Sequence, residues 1–154
     1  YYKTGRLFEA SAKSAAMLSG KSIPFIENIS KAAKLIGIAF QVRDDLLDYG
    51  VSKGNIGKPE MQDILEDKIT YPLYFALKYS NKKDSSKILK KLKNKDFSIE
   101  EVADFVSSSN AFNKCNSLIQ NYSNEISKCI NQISNKEIRD EMLNLSESLK
   151  NRYE

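Results

Sequence analysis

The segment from Pro24 to Tyr49 constrains the fold more than any other, because it is apolar almost all round and yet carries three aspartates. Its second half reads Ile36-Gly-Ile-Ala-Phe-Gln-Val-Arg-Asp-Asp-Leu-Leu-Asp-Tyr49. A helix with apolar residues at Leu35, Ile36, Ile38, Phe40, Val42, Leu46 and Leu47 has no broad wet side, and such helices are normally buried. With Gln41 as the origin and about 100° per residue, Asp45 falls at about 40°, Asp48 at about 340°, Asp44 at about 300° and Gly37 at about 320°. The three acids and Gln41 therefore share one arc with a glycine beneath them, and Arg43 points to the other side. Like charges three and four residues apart cost about 0.2–0.5 kcal/mol each on a solvated helix, and burial raises that cost. A hard divalent cation reverses the sign. Magnesium prefers carboxylate oxygens, keeps several waters and recruits phosphate as a further ligand. The face suits a Mg²⁺–diphosphate complex in a bundle cavity; the competing reading is an acidic stripe facing solvent, which the apolar surround disfavours.

The composition agrees with helices. The chain has 154 residues, one domain or part of one. At 41% hydrophobic and 29% charged residues, it has enough apolar material for a core and is not globally disordered. Only 6 Gly and 3 Pro argue against a loop-rich or all-β chain. There is no His, which removes Ser-His-Asp and Cys-His catalysis and histidine metal sites together. The net charge of +4 is mild and spread out; it suits small anions and gives no case for nucleic acid. If Cys115 and Cys129 share one straight helix they lie about 21 Å apart, too far for a mutual disulfide. They are expected to be buried free thiols. No apolar run approaches the roughly 20 residues of a membrane span. The opening Tyr-Tyr-Lys-Thr-Gly reads as mid-element, so an upstream portion is expected.

Residues 1–19 predict a small-residue, tightly packed helix ending near Gly20. Pro24 suits the first turn of the next helix, which Gly50 stops after Tyr49. Residues 50–59 predict a loop, followed by a short turn or helix from Asp63 to Lys68 and a helix from Ile69 to Tyr79. Asn81 to Asp96 reads as a solvated connection with a short helix at Ile88 to Leu92, its lysines a wet face. Ser98 with Glu101 forms a capping box for the next helix. Cys115, Ile119, Tyr122, Ile126, Cys129 and Ile133 then alternate three and four apart, and Ile138, Met142, Leu145 and Leu149 form one stripe on a last helix. No strand pattern or repeat is evident, so the expected class is all-α, a helical bundle.

Several of these segments together resemble the all-trans polyprenyl (isoprenyl) diphosphate synthase family. Phe40-Gln-Val-Arg-Asp-Asp-Leu-Leu-Asp-Tyr49 resembles its second aspartate-rich motif, and Lys3-Thr-Gly-Arg-Leu-Phe8 its Lys-Thr motif. Gly57-Lys-Pro, then Asp63 and Lys68-Ile-Thr-Tyr-Pro-Leu73, resembles the stretch after the acid helix, and Leu143 to Arg152 the C-terminal helix. The resemblance runs end to end, with residues 81–135 contributing only length and helicity. It departs at Met61 and Gln62, where a small Gly-x pair is usual, at Asp67, usually Gly or Asn, and at Ser14, commonly Gly.

The resemblance implies a bundle of the isoprenoid synthase type, here lacking its N-terminal helices, with residues 1–154 the C-terminal part of a single domain. It implies an enzyme, a prenyltransferase joining isopentenyl diphosphate to an allylic diphosphate, of a polyprenyl or long-chain type. Asp44, Asp45 and Asp48 would bind Mg²⁺, with Asp44 foremost among them as a direct ligand. Lys3, Lys58 and Lys68 would hold the allylic diphosphate, Thr4 and Gln41 would contact it and help to stabilise the forming cation, and Phe40 would line the hydrocarbon side. Ionisation of the allylic C–O bond needs the departing charge neutralised, which metals and lysines supply, and apolar walls exclude water. The released diphosphate takes the final proton, so the lack of His causes no difficulty. The first aspartate-rich motif and the basic residues for isopentenyl diphosphate normally lie upstream, so this chain alone is not expected to be a competent enzyme. The expected assembly is a homodimer or larger, with the N-terminal half in the same protein or a partner chain, in the cytoplasm or an organelle. Two alternatives stand beside this reading: a non-catalytic subunit of a heteromeric synthase, and a helical scaffold whose acidic face is incidental.

Overall fold

A computed structural model describes residues 3–50 and 61–151. Among the described residues there are eight helices: α1 (Gly5–Leu18), α2 (Ile23–Asp48), α3 (Gln62–Leu65), α4 (Tyr71–Tyr79), α5 (Lys82–Asn94), α6 (Ile99–Ser107), α7 (Ala111–Ile130) and α8 (Lys136–Asn151). No strand occurs among those residues, as the periodicity predicts. The chain divides into two compact units, one of Tyr1–Arg43 with Leu118–Arg152, the other of Asp44–Ser117. Both α2 and α7 contribute residues to each.

In the first unit the core joins Ala32, Leu35, Ile36 and Ala39 of α2 to Ile126, Cys129 and Ile130 of α7 and Leu149 of α8. Phe8, Phe40, Tyr122 and Met142 pack against it. The three-four alternation on α7 is the buried stripe it was expected to be, and Ile133 remains buried just beyond the helix end. Both cysteines are buried free thiols, and burial pushes the Cys115 thiol up to about 12. The stripe on α8 is only partly covered: Leu149 is buried but Leu145 is exposed. The expectation of a tightly packed α1 is corrected. Only Gly5 and Ala16 are buried along it, and Leu7, Met17 and Leu18 are exposed. Close packing is confined to one crossing, where a Cβ on Gly37 would stand 2.8 Å from the Gly5 Cα and 3.0 Å from the Phe8 ring. Two glycines allow backbone to meet backbone there.

In the second unit Met61, Ile64, Leu73, Ala76, Val102, Val106 and Ala111 form the core. Ser98 Oγ accepts from the Glu101 N–H at 3.1 Å, as the capping box predicts, while the Glu101 carboxylate takes Lys91 Nζ at 2.6 and 2.7 Å. The expected solvated connection at 81–96 is corrected to a full helix, α5, of 13 residues. Asn81 Oδ1 caps it by accepting from Asp84 N–H at 2.9 Å, and Lys95 ends it at φ 55°. Lysine is a good helix former, and Ser85, Ile88 and Leu92 supply a narrow inward stripe that the surrounding lysines conceal in the sequence.

Candidate functional site

The last turns of α2 set the acids by what their oxygens accept. Asp45 is 3% exposed, and its Oδ2 accepts the Tyr71 N–H, the first of α4, at 3.1 Å. Thr70, the residue before α4, makes no side-chain cap of its own, so Asp45 supplies from α2 the acceptor that a helix start needs. Asp48 does the same for α3. Its Oδ1 accepts Gln62 N–H and its Oδ2 accepts Asp63 N–H, both at 3.0 Å, while its backbone carbonyl takes Met61 N–H at 2.7 Å. Carboxylates at helix N-termini are favoured by the helix dipole as well as by these bonds.

Burial nevertheless raises the Asp48 pKa above its ordinary value, and the nearby Asp63 and Asp44 carboxylates push in the same direction. The two N–H donors oppose this without cancelling it. The charges of Asp63 and Asp44 thus bear on Asp48, although Asp63 lies outside the acid helix and enters the sequence pattern only as part of a motif. Its position one residue into α3, directly on the Asp48 clamp, is the missing signal.

Lys68 is exposed, and its Nζ bonds Glu66 Oε2 and pairs with Asp63 Oδ1 at 3.5 Å. The Glu66 hydrogen bond is the main cause that raises its pKa. Met61 and Asp67, two of the positions where this chain departs from the family pattern, have φ 62° and φ 58°. That left-handed backbone is where glycine or asparagine is cheapest. The Tyr49 phenol is raised by burial, and its hydroxyl neighbours that of Thr70 without reaching hydrogen-bond geometry.

In the other unit, Thr4 Oγ1 donates to Gln41 Oε1 at 2.6 Å. The glycine crossing below holds the start of α1 against α2, and the Phe8 and Phe40 rings lie 6.2 Å apart. Arg43 Nε donates to the Leu149 carbonyl at 3.0 Å, tying α2 to α8. Lys3 is exposed. Lys58 lies outside the described residues.

Among the described residues no three His, Cys, Asp or Glu side chains converge as a ready-made metal cage. Two of the three aspartates have oxygens committed to backbone donors. Magnesium itself binds through one or two carboxylates, waters and substrate phosphate, so it does not require a closed cage. The half-buried Asp44, with the repelling charges of Asp48 and Asp63 nearby, fits that description.

Residues 1–109 match the family model for polyprenyl synthetase. The decaprenyl-diphosphate synthase of Dictyostelium discoideum is 32% identical over 146 residues, which cover 95% of this chain and 32% of that protein. A solved decaprenyl diphosphate synthase from Rhodobacter capsulatus superposes with a TM-score of 0.86 at 22% identity, over 99% of this chain and 48% of that one. A polyprenyl synthase from Caulobacter crescentus CB15, solved with calcium and isoprenyl diphosphate, gives 0.84 at 23% identity, over 97% and 47%. The chain thus spans about a third of the length of that curated relative and about half of the two solved structures. The likeness to the solved structures fixes the fold, an isoprenoid synthase helical architecture, and the family model fixes the kinship: this chain belongs to the polyprenyl synthetase family.

Proposed function

We propose that the protein carrying these residues is an all-trans prenyl diphosphate synthase of the long-chain type, which joins isopentenyl diphosphate to an allylic diphosphate. The observation that carries this reading is the end of α2. There a family-matched acid motif has two of its aspartates engaged in capping α3 and α4, with the half-buried Asp44 beside them. A Mg²⁺ ion held by Asp44, with Asp48 close by, would neutralise the departing diphosphate.

The chain's own residues do the rest. Asp45 and Asp48 act by position: they fix the starts of α4 and α3, and so the turn that carries Lys68 between them. Lys68, at present paired with Glu66 and Asp63, would exchange those partners for diphosphate oxygens, a point charge on an anion. Lys3 and Lys58 would serve the same anion. Thr4 fixes the orientation of the Gln41 amide, whose carbonyl dipole would face the forming allylic cation. Phe40, its ring 6.2 Å from that of Phe8, would give that cation an apolar wall and keep water away.

The test is the full-length protein assayed with an allylic diphosphate, labelled isopentenyl diphosphate and Mg²⁺, reading product length by mass spectrometry. Chain elongation is expected. Asp44→Ala should lower turnover by about two to three orders of magnitude, as loss of one electrostatic contact in a dry site does, and should leave the fold intact because a like charge is removed. Near-normal turnover of that variant at saturating magnesium would overturn the metal assignment.

A further inference from the structure

The helix that the sequence concealed has an outer face of one sign. On α5, Ser85, Ile88 and Leu92 turn inward, and Lys91 and Lys87 reach Glu101 at 2.6 and 3.9 Å. Lys82, Lys83, Lys90 and Lys93 remain on the exposed side. Among the described residues none of these four has a carboxylate within ion-pair distance. Helical spacing puts them within about 100° of one another, with only Ser86 between. Leu89, at the edge of this face, is 45% exposed. It shares a cavity of about 370 Å³ with Ile69, itself 60% exposed, with Lys68 and Lys93, and with Lys95 and its partner Asp67.

Unpaired like charges on one helix face repel, so folding alone gives no reason to gather them. Their combination with two exposed aliphatic side chains is the pattern of a helix that lies on an anionic lipid surface, with lysines at headgroup depth and leucine or isoleucine entering the acyl boundary. All the cations are lysines. None is the arginine fork that would grip base edges or phosphates in a fixed geometry. We infer that the outer face of α5, with Leu89 and Ile69, is a docking surface for a bilayer containing anionic phospholipid. The four lysines and Leu89 lie on α5, away from the acid helix and the Lys-Thr segment, whereas Ile69 adjoins Lys68, which lines the same cavity.

The experiment is co-sedimentation of the full-length protein with vesicles of phosphatidylcholine alone and of phosphatidylcholine mixed with phosphatidylglycerol. Binding is expected only to the mixed vesicles, and it should weaken as salt is raised. Each lysine near such a surface is worth about fivefold in affinity, so Lys90→Gln with Lys93→Gln should lower it by about thirtyfold. Glutamine keeps a high helix propensity, and circular dichroism checks that the helix survives. The control pair Lys128→Gln with Lys136→Gln, on α7 and α8, removes the same charge and should leave binding unchanged. Leu89→Asp should weaken binding further. Equal binding to neutral vesicles overturns the inference, as does an equal loss in the control pair. So does duplex DNA bound as tightly as vesicles with Leu89→Asp without effect, which marks a plain polyanion surface instead of a membrane one.

Discussion

Polar side chains are held in opposite ways along α2. In the first unit, Gln41 meets Thr4 because two backbones touch: with Gly5 and Gly37 at the crossing, helix α1 comes close enough for a side-chain hydrogen bond of 2.6 Å. In the second unit, no such close approach is involved. Asp45 and Asp48 reach out from the helix end and take the orphan N–H groups of α4 and α3. The first arrangement depends on shape and is indifferent to pH; the second depends on charge and sits among other carboxylates that oppose it.

The largest expected effect breaks the shape side. Gly37→Ala places a methyl 2.8 Å from the Gly5 Cα, and backbone cannot rotate aside as a side chain can. Overpacking of this kind costs about 1–3 kcal/mol, of which helix propensity returns at most about 1. The variant should unfold at lower urea and lose the Thr4–Gln41 bond as α1 is levered away. An unchanged urea midpoint would mean that α1 is not held by this crossing.

Next comes the charge side. Asp45→Ala leaves the Tyr71 N–H without its acceptor at a buried position, a loss of about 0.5–2 kcal/mol on the scale of helix caps. Asp45→Asn keeps an acceptor oxygen and should recover most of it. If the asparagine variant melts as low as the alanine one, the negative charge matters and the hydrogen bond does not.

A smaller effect is a pH dependence whose sign is set by Asp48. Its carboxyl holds a proton in the folded chain to higher pH than the ordinary value of 3.8. The native state therefore binds more protons than the unfolded one in that interval, and this contribution to stability declines as pH rises through the raised value. Burial is the main cause and Asp63 outranks Asp44 among the repelling charges. Carboxyl carbon NMR should show the Asp48 midpoint falling in Asp63→Asn and falling less in Asp44→Asn. A midpoint unmoved by either substitution would leave desolvation as the whole account.

The acid helix, its burial and the glycine beneath it were legible in the sequence because an apolar surround and a 3.6-residue period leave few alternatives. The capping box and the α7 stripe were legible for the same reason. Three things were not. The length of α5 was hidden because a stripe of Ser85, Ile88 and Leu92 is too narrow to stand out among lysines. The exposure of α1 was hidden because small residues announce close packing without saying over what length. The capping roles of Asp45 and Asp48 were hidden because their partners are backbone groups of other helices, which no spacing within α2 can reveal.

The departures from the family pattern give the smallest and finest test. Met61 and Asp67 both adopt left-handed backbone, yet they differ in what the side chain does. Met61 is 4% exposed and belongs to the second core, so its apolar contacts offset the strain. Asp67 is exposed, and its carboxylate meets Lys95 Nζ at 2.7 Å on a surface where such pairs are worth about 0–1 kcal/mol. Aspartate tolerates this backbone better than most residues, so the relief from Asp67→Gly is modest, and glycine also gives the unfolded chain more freedom. The two nearly cancel, and the expected change in melting midpoint is close to nothing. Asp67→Asn avoids the entropy cost, keeps the backbone tolerance and loses only the ion pair, so its effect should disappear in high salt. A clear gain in stability from Asp67→Gly would show that this turn is strained beyond what its φ of 58° implies, and would make the 61–68 turn a poorer mount for Lys68 than its two carboxylate clamps suggest.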